Sequence, residues 1–274
     1  MNAQPLIKTF VFTALPCEAK PLVAHFKLKK DTQSHPFAIY HNETMALAVS
    51  GCGKIAMAAA VAYTLAKFPL AQHPVLVNVG IAGHQSHNLG ELFAAHKITD
   101  VESGKHFYPQ LITKLPCASL AINTVSKPET HYLDDCLYEM EASAFYEIAV
   151  RFTSSELIQA FKIISDNQNS AITQIDAASV SAWITAKVFD IAEGIQRMEA
   201  LAQTLATKES RYYHAVLQQW HFTVTASLQL KALLQRWDVV TDYAELNFSE
   251  VELKHSKAVL IWLEQKINSQ VFSL

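Results

Sequence analysis

Two kinds of segment alternate along the chain. Short runs rich in β-branched and aromatic residues read as buried strands, and longer stretches with apolar residues three and four apart read as helices. Residues 6–15 (LIKTFVFTAL) form the first apolar run. Lys20 to Phe26 follows as a helix with Pro21 in its first turn, where a missing N–H costs little. Phe37–Tyr40 and Met45–Val49 pair as a hairpin around His41–Thr44, and an Ala-rich helix then runs to about Lys67. Pro74–Val79 is another apolar strand. Leu89–Phe93 and His96–Asp100 suggest two short strands, 102–117 a loop-rich stretch, and 118–125 a further strand.

Residues 137–167 carry the clearest pattern. Leu137–Met140 reads as a strand end, and Glu141 to Phe152 as a helix with Ala144, Phe145, Ile148, Ala149 and Phe152 on its apolar face. Phe161–Ile164 reads as a strand that stops at Ser165-Asp166-Asn167. Residues 175–207 read as one long helix. Beyond Lys208 the texture changes: 211–217, 228–237 and 251–267 look helical, with His221–Thr225 as a candidate strand. Trp220, Trp237 and Trp262 fall in this tail, where aromatics at such spacing read as packing residues. The expected division is an α/β domain over 1–207 and a mainly helical extension over 208–274.

Strands that end near Leu15, Val49, Val79 and Ile164 each lead into a loop of small or acidic residues. A doubly wound or mixed sheet gathers such loops at one edge, the edge where ligands bind in parallel α/β sheets. That edge would hold Glu18, Ser50-Gly51, Ala82-Gly83, Glu141 and Asp166. Each has a plainer reading. Glu18 suits a helix N-terminus, where the macrodipole is positive. Gly51-Cys52-Gly53 suits a tight strand-to-helix turn. His84, His87, His96 and His106 lack the helical i, i+4 spacing of metal ligands and read as exposed or capping residues.

Composition narrows the field. The chain has 274 residues, 50% hydrophobic and 17% charged, with a formal net charge of −3. No basic face suits a polyanion, so nucleic acid is an unexpected partner. No apolar run reaches the ~18 residues needed to cross a membrane. The first apolar segment lacks a basic leader and a small-residue cleavage site, and reads as a strand and not as a signal peptide. Cys17, Cys52, Cys117 and Cys136 are scattered without a CxxC pair. That points to reduced thiols in a cytoplasmic protein, with neither a disulfide framework nor a bound metal.

Several blocks, in order, resemble the nucleoside phosphorylase/nucleosidase superfamily, which includes purine nucleoside phosphorylase, uridine phosphorylase and 5′-methylthioadenosine/S-adenosylhomocysteine nucleosidase. They are Ala14-Leu15-Pro16-Cys17-Glu18, Ser50-Gly51-Cys52-Gly53-Lys54, Asn78-Val79-Gly80-Ile81-Ala82-Gly83, Tyr138-Glu139-Met140-Glu141-Ala142 and Ile164-Ser165-Asp166. The MEA block followed by SD is the most specific. The pattern is most similar to the methylthioadenosine nucleosidases, and it covers residues 6 to about 205. The resemblance implies an α/β fold with a twisted mixed central sheet flanked by helices, usually as a homodimer or higher oligomer, acting on a small-molecule nucleoside without a cofactor. It implies that Asp166 is the general acid at purine N7 and that Glu18 orients water. It implies that Glu141 and the Met140 backbone hold the ribose hydroxyls, with Ser165, Ser50, Gly51, Ala82 and Gly83 around the ligand.

Family phosphorylases hold phosphate with arginines near the first turn and in the block matching Val77–Gly80. This chain has arginine only at 151, 197, 211 and 236. Glu18 stands where phosphate would sit, which favours hydrolysis; Lys20 and Lys54 keep phosphorolysis open as an alternative. A catalytically weak nucleoside-binding regulatory protein is a further alternative. Ile81 replaces the serine usual in its turn, Lys162 stands where the nucleosidases have an arginine, and the segment before Tyr138 does not match their base-stacking loop. The base and the 5′ substituent stay open.

Overall fold

The structure is a computed structural model that describes residues 6–170, 175–205, 210–248 and 253–270. The chain separates into two compact units, Met1–Leu205 and Ala206–Leu274.

In the first unit, ten strands form one mixed sheet: β1 (Ile7–Thr13), β2 (Lys29–Lys30), β3 (Ala38–His41), β4 (Met45–Val49), β5 (Leu70–Gly83), β6 (Leu92–Asp100), β7 (His106–Phe107), β8 (Ala118–Thr124), β9 (Leu137–Glu139) and β10 (Ile158–Asp166). The path runs β10-β6-β8-β9-β5-β1-β4-β3-β2, and β10 also pairs with β5. Strands β5, β10, β6, β8 and β9 therefore close into a ring, and β1, β4, β3 and β2 extend from it as an open wing. Strands β4, β1, β5 and β10 lie parallel, so their C-terminal ends share one edge.

Helices cover both faces, which is why the central strands read as continuous apolar runs. Phe10 and Phe12 of β1 pack with α2 (Lys54–Lys67) and α3 (Ala142–Ala149) through Met57, Val61 and Phe145. Val11 faces the other way, into a core with α1 (Pro16–His25) and α4 (Ala177–Leu205) through Leu22, Ile184 and Ile191.

Several boundaries differ from the sequence expectation. Helix α1 begins at Pro16, so Pro16 takes the first-turn position and Pro21 lies inside the helix. Pro21 has no N–H for the carbonyl four residues back, that of Cys17. The Ser181 hydroxyl of α4 donates to that oxygen at 2.7 Å, which stitches α1 to α4. The two short strands expected over 89–100 are one strand, β6, whose register against β8 shifts between Ala95 and Lys97. Polar His96 sits at that shift and interrupts the apolar alternation that would have joined them. Strands β5 and β10 run past their expected ends to Gly83 and Asp166. Helix α3 stops at Ala149, and turn bonds carry the chain on to Phe152.

The second unit contains α5 (Tyr213–Gln219), α6 (Val224–Val240) and α7 (Ser256–Asn268) around Leu230, Leu234, Trp237, Val259 and Leu263. The strand expected at 221–225 is absent: the Thr223 side chain accepts the Ala226 N–H and caps α6. The tail tryptophans pack as expected. The indole N–H groups of Trp220 and Trp237 donate to the carbonyls of Leu253 and Ala244, and Trp262 stacks at 5.2 Å from Phe248. Residues 206–207 and 251–252 of the expected helices lie outside the described residues. No helix among the described residues is long and apolar enough to cross a membrane.

The α1–α4 stitch gives the first test. Ser181→Ala leaves the Cys17 carbonyl without a donor and should cost about 1–3 kcal/mol in urea unfolding. In a Pro21→Ala background, which returns an N–H to that oxygen, the same substitution should cost much less.

Candidate active site

The shared strand edge frames a cavity of about 270 Å³. Glu18, Glu141, Asp166, Met140, Ser165, Ala82 and Gly83 all line it. Ser50 and Gly51 do not: the Ser50 hydroxyl turns inward, 2.7 Å from the Gly51 carbonyl and 3.2 Å from that of Thr13. Their turn acts through its next residues. Gly53, at a φ of 96° that suits glycine, donates its N–H to Glu141 Oε1 at 2.7 Å, and Cys52 lines the cavity.

Glu18 lies both at a helix start and on the cavity wall. It lies in the first turn of α1, and its Oε2 accepts the N–H groups of Ala14 (2.9 Å) and Leu15 (2.8 Å). Its Oε1 accepts the Ile81 N–H at 3.0 Å, tying the helix start to β5. The same carboxylate faces the cavity. Burial raises its pKa, opposed by those N–H groups and by Lys162.

Glu139, absent from the sequence-derived set, organises the neighbouring wall. It accepts N–H bonds from Glu141 and Ala142 at the start of α3, and the Thr124 hydroxyl donates to it at 2.6 Å. Its Oε2 lies 2.8 Å from the ammonium of Lys162, a residue only 1% exposed. Burial works to depress the Lys162 ammonium, but the charges of Glu139, Glu141 and Glu18 outweigh it and raise the pKa. Glu141 is pushed up to about 7 by burial, with the Glu139 charge adding to the effect.

Asp166 ends β10 beside Gly83. The register shifts between Ile164 and Asp166, so Ser165 is an extra residue, and such a bulge re-aims the side chains around it. The Ser165 hydroxyl donates to Asp166 Oδ1 at 2.5 Å, and the Tyr132 hydroxyl donates to Oδ2. Tyr132 was also missed in the sequence; it lies in a turn-rich stretch with no periodicity to mark it.

His84, His87 and Asp135 bring donor atoms within 4.8 Å of one another. The hydrogen bonding argues against a cation there. His84 Nδ1 accepts the N–H groups of Ser86 and His87, each at 3.1 Å, so Nε2 carries the proton and lies 3.1 Å from Asp135 Oδ1. His84 is thus capping, as expected, but fully buried.

No family model matches the chain, and no curated protein matches it. Solved structures do. The apo 5′-methylthioadenosine nucleosidase of Arabidopsis thaliana aligns with a TM-score of 0.56 at 17% identity, covering 71% of this chain and 96% of that one. The futalosine hydrolase of Helicobacter pylori strain 26695 aligns with a TM-score of 0.55 at 13% identity, covering 70% and 98%. The 5′-methylthioadenosine/S-adenosyl homocysteine nucleosidase of Campylobacter jejuni aligns at 0.51 and 17%, covering 68% and 97%. The chain has the fold of these proteins.

Folding raises the Glu141 carboxyl from 4.5 to about 7. Protonation therefore favours the folded state: this contribution is complete below pH 4.5 and is lost as pH rises through about 7. Glu141→Gln keeps an acceptor for Gly53 and never ionises. It should melt above wild type at pH 8, by up to about 3 kcal/mol, with a much smaller difference at pH 5.

Proposed function

We propose that the chain is a nucleosidase that hydrolyses the N-glycosidic bond of a purine nucleoside, with a 5′-modified nucleoside such as methylthioadenosine or adenosylhomocysteine as the candidate substrate. The observation that carries this reading is the convergence of Glu18, Glu141 and Asp166, from separate strand ends, on one cavity. The fold shared with methylthioadenosine nucleosidases and futalosine hydrolase supports it.

Each carboxylate has a distinct task. Glu141, anchored by the Gly53 N–H, accepts hydrogen bonds from the ribose hydroxyls, with the Met140 backbone beside it. Asp166 gives a proton to N7, so the electron pair of the breaking C1′–N bond leaves on a neutral base. Glu18 orients water toward the cation-like C1′ and takes its proton. The raised pKa of Glu18 makes it a stronger base than an exposed carboxylate.

Hydrolysis is favoured over phosphorolysis because the wall is anionic. None of the arginines lines the cavity. Lys54 is held by Asp100 at 2.9 Å and Glu102 at 2.6 Å, and Lys20 borders a different groove. Among the described residues, bound phosphate would face Glu18, Glu139 and Glu141 without a cation on the wall.

The test is incubation with methylthioadenosine, adenosylhomocysteine, adenosine, inosine and futalosine, with and without phosphate. Free base should appear at the same rate in both. Asp166→Asn and Glu18→Gln should each lower kcat by about 10²–10⁴-fold with a smaller change in KM. Strict phosphate dependence with release of ribose 1-phosphate would contradict the proposal.

A further inference from the structure

Tyr132 is a buried polar group on the cavity wall that the proposed reaction leaves without a task. It lies between β8 and β9, is 4% exposed, and packs its ring 5.5 Å from Tyr138. Its hydroxyl bonds directly to the residue that would protonate the base. We infer that Tyr132 selects the base: its hydroxyl, with the proton held by Asp166, presents only lone pairs to the ligand and so favours a 6-aminopurine over a 6-oxopurine. This assignment rests on the nucleosidase reading and narrows its substrate class.

The arrangement is built. A Cβ on residue 83 would stand 2.5 Å from the Tyr132 oxygen and 2.7 Å from Asp166 Oδ2, so only glycine leaves room for the pair. The segment carrying Tyr132 is fastened just after it. Asp135 reaches buried His84, whose own N–H donates to the Asp166 carbonyl at 3.0 Å. The Asp134 N–H donates to the Tyr138 hydroxyl at 3.1 Å. Burial, and next the hydrogen bond to Asp166, raise the Tyr132 pKa, so the phenol stays neutral with a single proton to give.

The selectivity follows from purine geometry. N7 and the 6-substituent lie on the same edge of the base, so a base that brings N7 to Asp166 brings its 6-substituent to the flanking group. Two groups flank Asp166, Tyr132 at Oδ2 and Ser165 at Oδ1, and with Ser165 turned to the Ala82 carbonyl the one left to meet the 6-substituent is Tyr132. A 6-amino group donates to the phenol oxygen while the phenol keeps donating to Asp166, and every partner is satisfied. A 6-oxo group sets its lone pairs against those of the phenol. The clash is relieved only if the phenol turns away from Asp166, which leaves a buried acceptor short of a donor.

The proton balance closes without Tyr132 giving up its proton. The Ser165 hydroxyl, now on Asp166 Oδ1, also lies 3.3 Å from the Ala82 carbonyl. With Ser165 turned to that carbonyl, Oδ1 carries the proton that passes to N7. The electron pair of the C1′–N bond goes to the base, and the Tyr132 proton stays on the phenol throughout.

The experiment compares nucleosides that differ only at position 6, methylthioadenosine and methylthioinosine, on wild type and Tyr132→Phe. Binding of free adenine and hypoxanthine is measured in parallel by calorimetry. Wild type should favour the 6-amino substrate by about 10²-fold in kcat/KM and bind adenine more tightly than hypoxanthine. Tyr132→Phe should bring both ratios to within about fivefold, mainly through loss on the 6-amino side. Equal use of the two substrates, preference for the 6-oxo form, or an unchanged ratio in Tyr132→Phe overturns the assignment and leaves the nucleosidase reading standing. Wild type that cleaves neither nucleoside and binds neither base overturns both.

Discussion

The site depends on the buried ammonium of Lys162. An isolated carboxylate in a protein interior costs several kcal/mol, and Glu139, Glu141 and Glu18 lie together at one strand edge. Lys162 sits among them, against Glu139 at 2.8 Å. Burial outweighs that one cation, and the carboxyls of Glu18 and Glu141 remain raised. An arginine-lined wall would hold such carboxyls ionised and would admit phosphate. Lys162 acts from behind the cavity wall, so the wall itself stays anionic.

The fold delivers these groups through one strand. β5 pairs with β1, β10 and β9, which closes the ring and brings four parallel strand ends to a common edge. Each end then spends local backbone bonding on fixing a carboxylate. The start of α1 fixes Glu18, the turn before α2 fixes Glu141, and the bulge at Ser165 fixes Asp166. Cap, turn and bulge are thus both structural devices and positioning devices. The hydrogen bonds that place Glu18 at a helix start also hold it on the cavity wall.

What the sequence revealed and what it hid divide along physical lines. Apolar periodicity located nearly every core element, because burial of β1, β4, β5 and β10 on both faces leaves continuous hydrophobic runs. Glu18, Glu141 and Asp166 were legible because strand ends are where such runs stop. The failures arise where a single side chain overrides the local pattern. Thr223 caps a helix where β-branched residues suggest a strand, His96 sits within a strand that its polarity seemed to end, and Ser181 makes an interior proline tolerable. Ser50 and Gly51 lie off the cavity wall, while the Gly53 N–H holds Glu141 and Cys52 lines the cavity. Tyr132 carried no signal because its partner, Asp166, is close only in the folded chain.

In the proposed reaction this cavity directs water to C1′. The most direct measurement is turnover of a purine nucleoside in oxygen-18 water, in buffer containing phosphate, with the released sugar analysed by mass spectrometry. Hydrolysis should leave one atom of label on the sugar C1 hydroxyl, before exchange, in every turnover, and none of the product as a phosphate ester. A sugar released as unlabelled ribose 1-phosphate would contradict it.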